Sequence, residues 1–276
     1  MRRLTEDMRR DWTEKGYIHL KGALTRDQAS AYLESADEVI ARYREEKPSV
    51  RDKAAFTIIQ TVEQSPAFDT LLDHPGTFGV ILDLMGPYLQ VMGTQIYVRY
   101  PKEDMLSGWH TDAGPSLREI RVEPNSRPLN FKIQYFLTDI PIEDRANFCL
   151  VPGSHKKYFP ENGLPKGEWP DGGVQMIAEA GDAAIFPHNL WHGVATHDGD
   201  NIRRSVTLRY GQMWCRPYDY EKAPADVLDR MTPRQRRLMG DMGPGYTATD
   251  YFKPKDQLEM ILDGIEQEEI EVIIKL

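Results

Sequence analysis

The sequence predicts a mainly β fold with flanking helices, a double-sheet jelly roll of the cupin kind, and three observations carry that prediction. Helical signals dominate up to about residue 87. From Tyr88 onward the texture changes to short β-rich runs broken by Gly, Pro, Asn and Asp, and helical signals return after residue 214. Neither an internal repeat nor a low-complexity linker interrupts the chain, so we expect a single domain over 1–276. It divides into a helical layer (about 1–87), a jelly-roll core (about 88–214) and a C-terminal helical segment (about 215–276).

Each element has its own signal. Tyr17 to Leu20 is a short apolar strand candidate. Thr25 and Gln28 make a capping box for a helix running to about Arg44, with Ala29, Leu33, Ala36, Ile40 and Tyr43 as its apolar stripe. Ser65-Pro66 and His74-Pro75 each open a further helical segment, and the second stops at Gly86. The β-rich runs cover 91–100, 130–138, 148–151, 174–178, 183–186, 190–195 and 204–214. Within 130–138, Phe131, Ile133, Tyr135 and Leu137 alternate with Lys132, Gln134 and Phe136, so the more polar face is expected to look into the barrel. Thr232-Pro233 starts a last helix that Gly240 stops.

Composition bounds the partners. A chain of 276 residues, 40% hydrophobic and 28% charged, can bury a sizeable core. Its net charge of −9 leaves no electrostatic footprint for nucleic acid or anionic lipid. Met1 to Arg10 is polar, and no run approaches the roughly 18 apolar residues of a membrane span. These features lead us to expect a cytoplasmic protein, monomer or homodimer, acting on a small-molecule substrate. Cys149 and Cys215 lack C-x-x-C spacing, which argues against a disulfide framework or a thiolate zinc site.

The chemistry-bearing pattern lies in the core. His110-Thr111-Asp112 follows a strand-like run; far downstream comes His192, with Arg203 eleven positions after it. In an extended segment His110 and Asp112 point to the same side and Thr111 away. Pro187 and Gly193 keep His192 out of a helix, so it can approach from a facing strand. Two imidazoles and a carboxylate cap one face of a six-coordinate metal and leave three positions open, the ligand set of a non-haem iron(II) oxygenase. Arg203 shares a strand face with Ser205 and Thr207, where a planar guanidinium could clamp the far carboxylate of a 2-oxo diacid. Arg204 competes for that role, but its face continues into Val206 and Leu208.

Blander readings stand beside this one. A His-x-Asp triplet alone is more often a surface turn, and His155 reads as a turn histidine that could substitute as a ligand. His188 and His192 have helical zinc spacing, yet Pro187 spoils the helix. Trp109 and Trp191 flank ligands and by alternation pack behind the site. Arg118, Arg121 and Arg127 lie in the polar stretch 113–129, either solvated or part of a lid that meets an acidic substrate.

Taken together, several segments carry a resemblance. They are Trp12 to Leu20 with the helix after it, Gly108-Trp109-His110-Thr111-Asp112, Val151-Pro152-Gly153-Ser154-His155, Gly181-Asp182, and Leu190-Trp191-His192-Gly193 leading to Arg203. Over most of its length the chain resembles the phytanoyl-CoA dioxygenase family of iron(II)/2-oxoglutarate-dependent oxygenases. The resemblance implies a double-stranded β-helix, iron(II) on His110, Asp112 and His192, and 2-oxoglutarate anchored by Arg203, with Gln95 and Gln134 as further co-substrate or pocket contacts. It also implies consumption of dioxygen and hydroxylation of an unactivated C–H bond, with release of succinate and carbon dioxide. Desaturation or epimerisation on the same scaffold and a non-catalytic metal-binding cupin are the alternatives; halogenation is disfavoured because Asp112 keeps the ligand carboxylate. Two departures fall outside the ligand set: Gln134 stands where relatives often have an aromatic, and Arg145-Ala146 where they often have Asn-Gly. The chain has no convincing basic groove for an acyl-CoA.

Overall fold

The computed structural model describes residues 1–275 except 103, 113, 118–119, 121–125 and 166–167. Its strands are β1 (Ile18–Leu20), β2 (Ala55–Ile59), β3 (Leu89–Arg99), β4 (Ser107–His110), β5 (Asn130–Phe136), β6 (Phe148–Leu150), β7 (Val174–Gln175), β8 (Ala183–Pro187), β9 (His192–Val194) and β10 (Arg203–Gln212). They form a six-stranded sheet, β1-β8-β5-β10-β3-β2, and a four-stranded sheet, β4-β9-β6-β7. Every ladder is antiparallel. Among the described residues the two sheets face each other without closing into a barrel, so the space expected inside a barrel lies between them.

Alternation along the strands explains the layering. The large sheet buries Phe56, Ile58, Ile96, Val98, Ile133, Tyr135, Val206, Leu208 and Tyr210 in one apolar cluster with the helices of the first third. Over it lie the 21-residue helix α2 (Arg26–Glu46), through Tyr32, Ala36, Val39 and Ile40, and the wholly buried helix Phe78–Met85. Each large apolar side chain removed from water there contributes roughly 1.5–3 kcal/mol, and buried hydroxyls find partners: Tyr135 OH pairs with Thr77 Oγ1 at 2.8 Å and Tyr210 OH donates to Leu72 O at 2.9 Å. The opposite face carries Phe136, Ala184 and Phe186, which meet Phe148 and Leu150 of the small sheet in a second cluster. The polar face of 130–136 therefore looks between the sheets, as its alternation requires.

Most boundaries agree with the sequence expectations, and the exceptions have local causes. The Thr25–Gln28 capping box is present, with both reciprocal bonds made. Pro66 opens a 3-10 turn rather than an α-helix. The helix expected at His74-Pro75 begins instead at Phe78, because His74 first closes a turn: its Nδ1 accepts from Gly76 N–H, and its carbonyl accepts from Thr77 N–H. A helix α1 (Glu6–Lys15), capped by Thr5 and ended by Gly16 in the left-handed region, was not foreseen, nor was β2. Of the stretch 113–129, Arg118 and Arg121 lie outside the described residues. Arg127 packs against Gly86 and reaches the carbonyl of Ile273, away from the intersheet space.

Candidate metal centre

The cross-strand register brings the predicted ligands together. β4 and β9 pair antiparallel with His110 directly opposite His192, and their rings stand 4.3 Å apart, centroid to centroid. Asp112 lies in the turn after β4, where its backbone N–H donates to His188 O at 2.9 Å. One ligand atom each from His110, Asp112 and His192 falls within 4.8 Å of the others, so the three could hold a metal ion.

Both rings are set by their own backbone. His110 Nδ1 donates to Gly108 O and His192 Nδ1 to Leu190 O, each at 2.8 Å and each two residues upstream. That fixes the tautomer and leaves both Nε2 atoms as acceptors for a cation. Burial, with Phe148 and Phe186 rings against it, pushes His192 down to about 3, so it is neutral and competent to ligate at ordinary pH. Burial alone would raise the Asp112 carboxyl, but Lys132 above all, with His192 and Arg209, holds it far below the usual range. Lys132 Nζ donates to Oδ1 at 2.7 Å and Arg209 Nη2 lies 3.2 Å from the same oxygen. Oδ2 is buried without a hydrogen-bond partner, 3.7 Å from His192 Nε2. A buried, unsatisfied carboxylate oxygen beside two free imidazole acceptors fits a divalent cation.

A second group fits a dianion. Arg203 is 1% exposed, its Nη1 donates to Ser205 Oγ, and its Nε and Nη2 have no partner. Burial, then the neighbouring charge of Arg99 across the ladder, pushes it down to about 9, still protonated at neutral pH. Arg204 occupies the other face and binds Asp37 of α2 through Nε and Nη2. Along β10 toward the metal group comes Thr207, paired in one row with Gln95 on β3 and Gln134 on β5. Gln134 Nε2 and Thr207 Oγ1 are buried and unpartnered, while Gln95 Oε1 accepts from Tyr97 OH. The orphaned groups form a track from Arg203 toward Asp112.

Other expectations find their places. His155 Nε2 reaches Thr13 O, and among the described residues His155 is not in the metal group; His188 contributes its backbone carbonyl. Trp109 and Trp191 pack with Cys149, Val151 and Ala195 behind the small sheet. Burial pushes the Cys149 thiol up to about 12, so it stays neutral. Sequence reasoning missed Lys132, Arg209 and Tyr97. The faces of Lys132 and Arg209 were readable, since Lys132 shares one with Gln134 and Arg209 with Arg203, Ser205 and Thr207, but their meeting at Asp112 depends on the β5–β10 pairing.

With this geometry in hand, comparison with known proteins decides the family. The model of the phytanoyl-CoA dioxygenase family (PhyH) matches residues 12–205. The chain belongs to the phytanoyl-CoA dioxygenase family. Among curated relatives of this PhyH chain, Dioxygenase cdmA of Talaromyces verruculosus is 26% identical over 119 residues, 43% of this chain and 39% of that protein. The chain thus spans about two fifths of that relative's length. Two solved structures share the fold. HygX from Streptomyces hygroscopicus, with nickel and 2-oxoglutarate bound, has a TM-score of 0.64 and 18% identity, covering 82% of this chain and 94% of that one. The α-ketoglutarate-dependent epimerase SnoN from nogalamycin biosynthesis has a TM-score of 0.59 and 19% identity, covering 75% and 80%. Among the described residues no helix is long and apolar enough to cross a membrane.

Proposed function

We propose that this chain is an iron(II)- and 2-oxoglutarate-dependent dioxygenase that hydroxylates an unactivated C–H bond of a small-molecule metabolite. The observation that carries this reading is the presence of two complementary groups in one interior: His110, Asp112 and His192 with one ligand atom each within 4.8 Å of the others, and a buried Arg203 with two nitrogens that no protein group meets. Iron(II) held by His110, Asp112 and His192, with 2-oxoglutarate, would supply dioxygen activation with release of succinate and carbon dioxide. The chain's own work is binding and exclusion. His110 and His192 offer Nε2 because their Nδ1 protons are committed to carbonyls. Arg203 receives the distal carboxylate of the diacid through its two unpartnered nitrogens. Gln134, Gln95 and Thr207 line the span between, and Phe148 and Phe186 keep water from His192.

The cavity this reading assigns to a substrate is reached from the centre through Arg209 and Tyr218 and is lined by none of the proposed ligands. It measures about 670 Å³ and is lined by Trp214, Tyr218, Tyr246 and Tyr251 among others. Tyr218 joins it to the centre, since the Arg209 guanidinium lies 4.7 Å over its ring and also contacts Asp112. That size suits a ring-bearing metabolite, within the roughly 300–1,000 Å³ of small-molecule pockets. Trp214→Ala is expected to raise KM for the substrate with kcat little changed.

The test is succinate formation by protein loaded anaerobically with iron(II) and 2-oxoglutarate and then exposed to air, across a panel of candidate metabolites. Wild type should form succinate and stop doing so in His110→Ala and Asp112→Ala. Succinate from both variants would refute the ligand assignment. Product mass separates hydroxylation from desaturation or epimerisation.

A further inference from the structure

We propose that Lys132 and Arg209 are positioning residues that reserve Oδ1 of Asp112, so that this carboxylate meets a metal through Oδ2 alone. The inference rests on His110, Asp112 and His192 being the metal ligands. Lys132 on β5 and Arg209 on β10 are direct cross-strand partners, and both turn inward to the same oxygen, at 2.7 and 3.2 Å. All three side chains are nearly buried: 9% exposed for Lys132 and Asp112, 12% for Arg209. Each cation is held in turn. Lys132 Nζ donates to Tyr97 OH at 3.3 Å, and Arg209 Nη1 donates to Tyr218 OH at 3.3 Å while stacking on that ring.

Coordination arithmetic gives the clamp its use. Two imidazoles and one carboxylate oxygen leave three positions on a six-coordinate metal, enough for a bidentate 2-oxo acid and dioxygen. An aspartate binding through both oxygens would leave two. Swinging Oδ1 onto a metal would strip two buried cations of their shared anionic partner, which is costly in a low-dielectric interior. Lys132 and Arg209 thereby keep the third position open without touching the metal. The chain Asp112–Lys132–Tyr97–Gln95 also ties the ligand carboxylate to the row that includes Gln134.

The test uses the full chain with Co(II) as the probe ion, comparing wild type with Lys132→Met, Arg209→Met and Lys132→Arg. Readouts are the visible Co(II) spectrum and the 2-oxoglutarate dissociation constant; circular dichroism checks folding. We expect both Met variants to retain Co(II) and to bind 2-oxoglutarate within about threefold of wild type, since two positions suffice for it, but to show altered Co(II) bands in that complex because the third position is taken. Lys132→Arg should restore the spectrum. If Lys132→Met fails to fold, Arg209→Met decides, and loss of folding in both overturns the inference in favour of a purely structural pair. Met variants with the wild-type spectrum in that complex overturn this inference alone, whereas a wild type that binds neither Co(II) nor 2-oxoglutarate overturns the ligand reading with it.

Discussion

Arg203 buries its guanidinium between the sheets with two nitrogens unpaired, while Arg204, one residue on, binds Asp37 on the outer face. Alternation had separated the two faces already, but only the three-dimensional arrangement shows that Arg204 is ion-paired while two nitrogens of Arg203 meet no protein group. A charge-assisted hydrogen bond is worth about 1.5–3 kcal/mol, roughly ten- to a hundredfold in binding. Arg203→Ala should therefore raise the 2-oxoglutarate concentration at half-maximal turnover at least about tenfold. Arg204→Ala should leave it within about threefold, an effect of the size seen for partly exposed pairs. Steady-state titration decides, and the reverse order would transfer the anchor to Arg204. The departure at Arg145-Ala146 also acquires a meaning. Ala146 sits at φ 56°, in the left-handed region, where the Gly common in relatives would rest without strain.

Between elements, the closest constraint on the metal group is the spacing of β4 and β9, which carry His110 and His192. Gly193 sets it: a Cβ there would meet Ser107 O at 2.9 Å and Gly108 O at 3.3 Å. A methyl group would have to push the strands apart, whereas one at Gly108 meets nothing within 4 Å. We expect Gly193→Ala to weaken Co(II) binding about tenfold or more, with the protein still folded, and Gly108→Ala to leave it unchanged. Equal affinities in an equilibrium titration would contradict this placement. Elements with strong periodic or punctuation signals were legible in the sequence: α2 with its capping box, the alternating β5, the Gly86 stop. β2 was not, because its five residues Ala55–Ile59 lack flanking turn signals, and it is stabilised by pairing with β3, a partner invisible from its own sequence. α1 escaped for the opposite reason. It buries no residue fully and shows little apolar stripe, so only Thr5 and Gly16 marked its ends.

For the whole molecule, the buried histidines predict how stability follows pH. Burial lowers His192, to about 3, and also lowers His74 and His197. His74 and His197 accept backbone N–H groups of Gly76 and Gly199 through Nδ1, an acceptor that protonation would remove. In the unfolded chain these rings take a proton near the ordinary value of about 6.5. Below that pH the unfolded state binds more protons than the folded one, so stability falls as pH drops from about 6.5 toward 3. Melting temperatures of the metal-free protein in chelator should decline from pH 7 to pH 5; a flat or rising profile would contradict the assignment of neutral rings.

At this scale the candidate site was only partly legible. The candidate triad His110, Asp112 and His192 and the candidate anchor Arg203 could be named from sequence because each sits in a short motif and the spacing between motifs resembles a family pattern. Lys132 and Arg209 could not, since their role depends on β5 and β10 lying side by side and on both facing the turn after β4. The central claim is that His110, Asp112 and His192 hold iron(II) while Arg203 holds 2-oxoglutarate beside it. Anaerobic addition of iron(II) and 2-oxoglutarate, followed by visible absorption, tests it most directly, because a 2-oxo acid chelated to iron(II) gives a charge-transfer band that neither component gives alone. We predict the band in wild type, its loss in His192→Ala, and its appearance in Arg203→Ala only at about tenfold or more 2-oxoglutarate. No band in wild type, or an undiminished one in His192→Ala, would contradict the account.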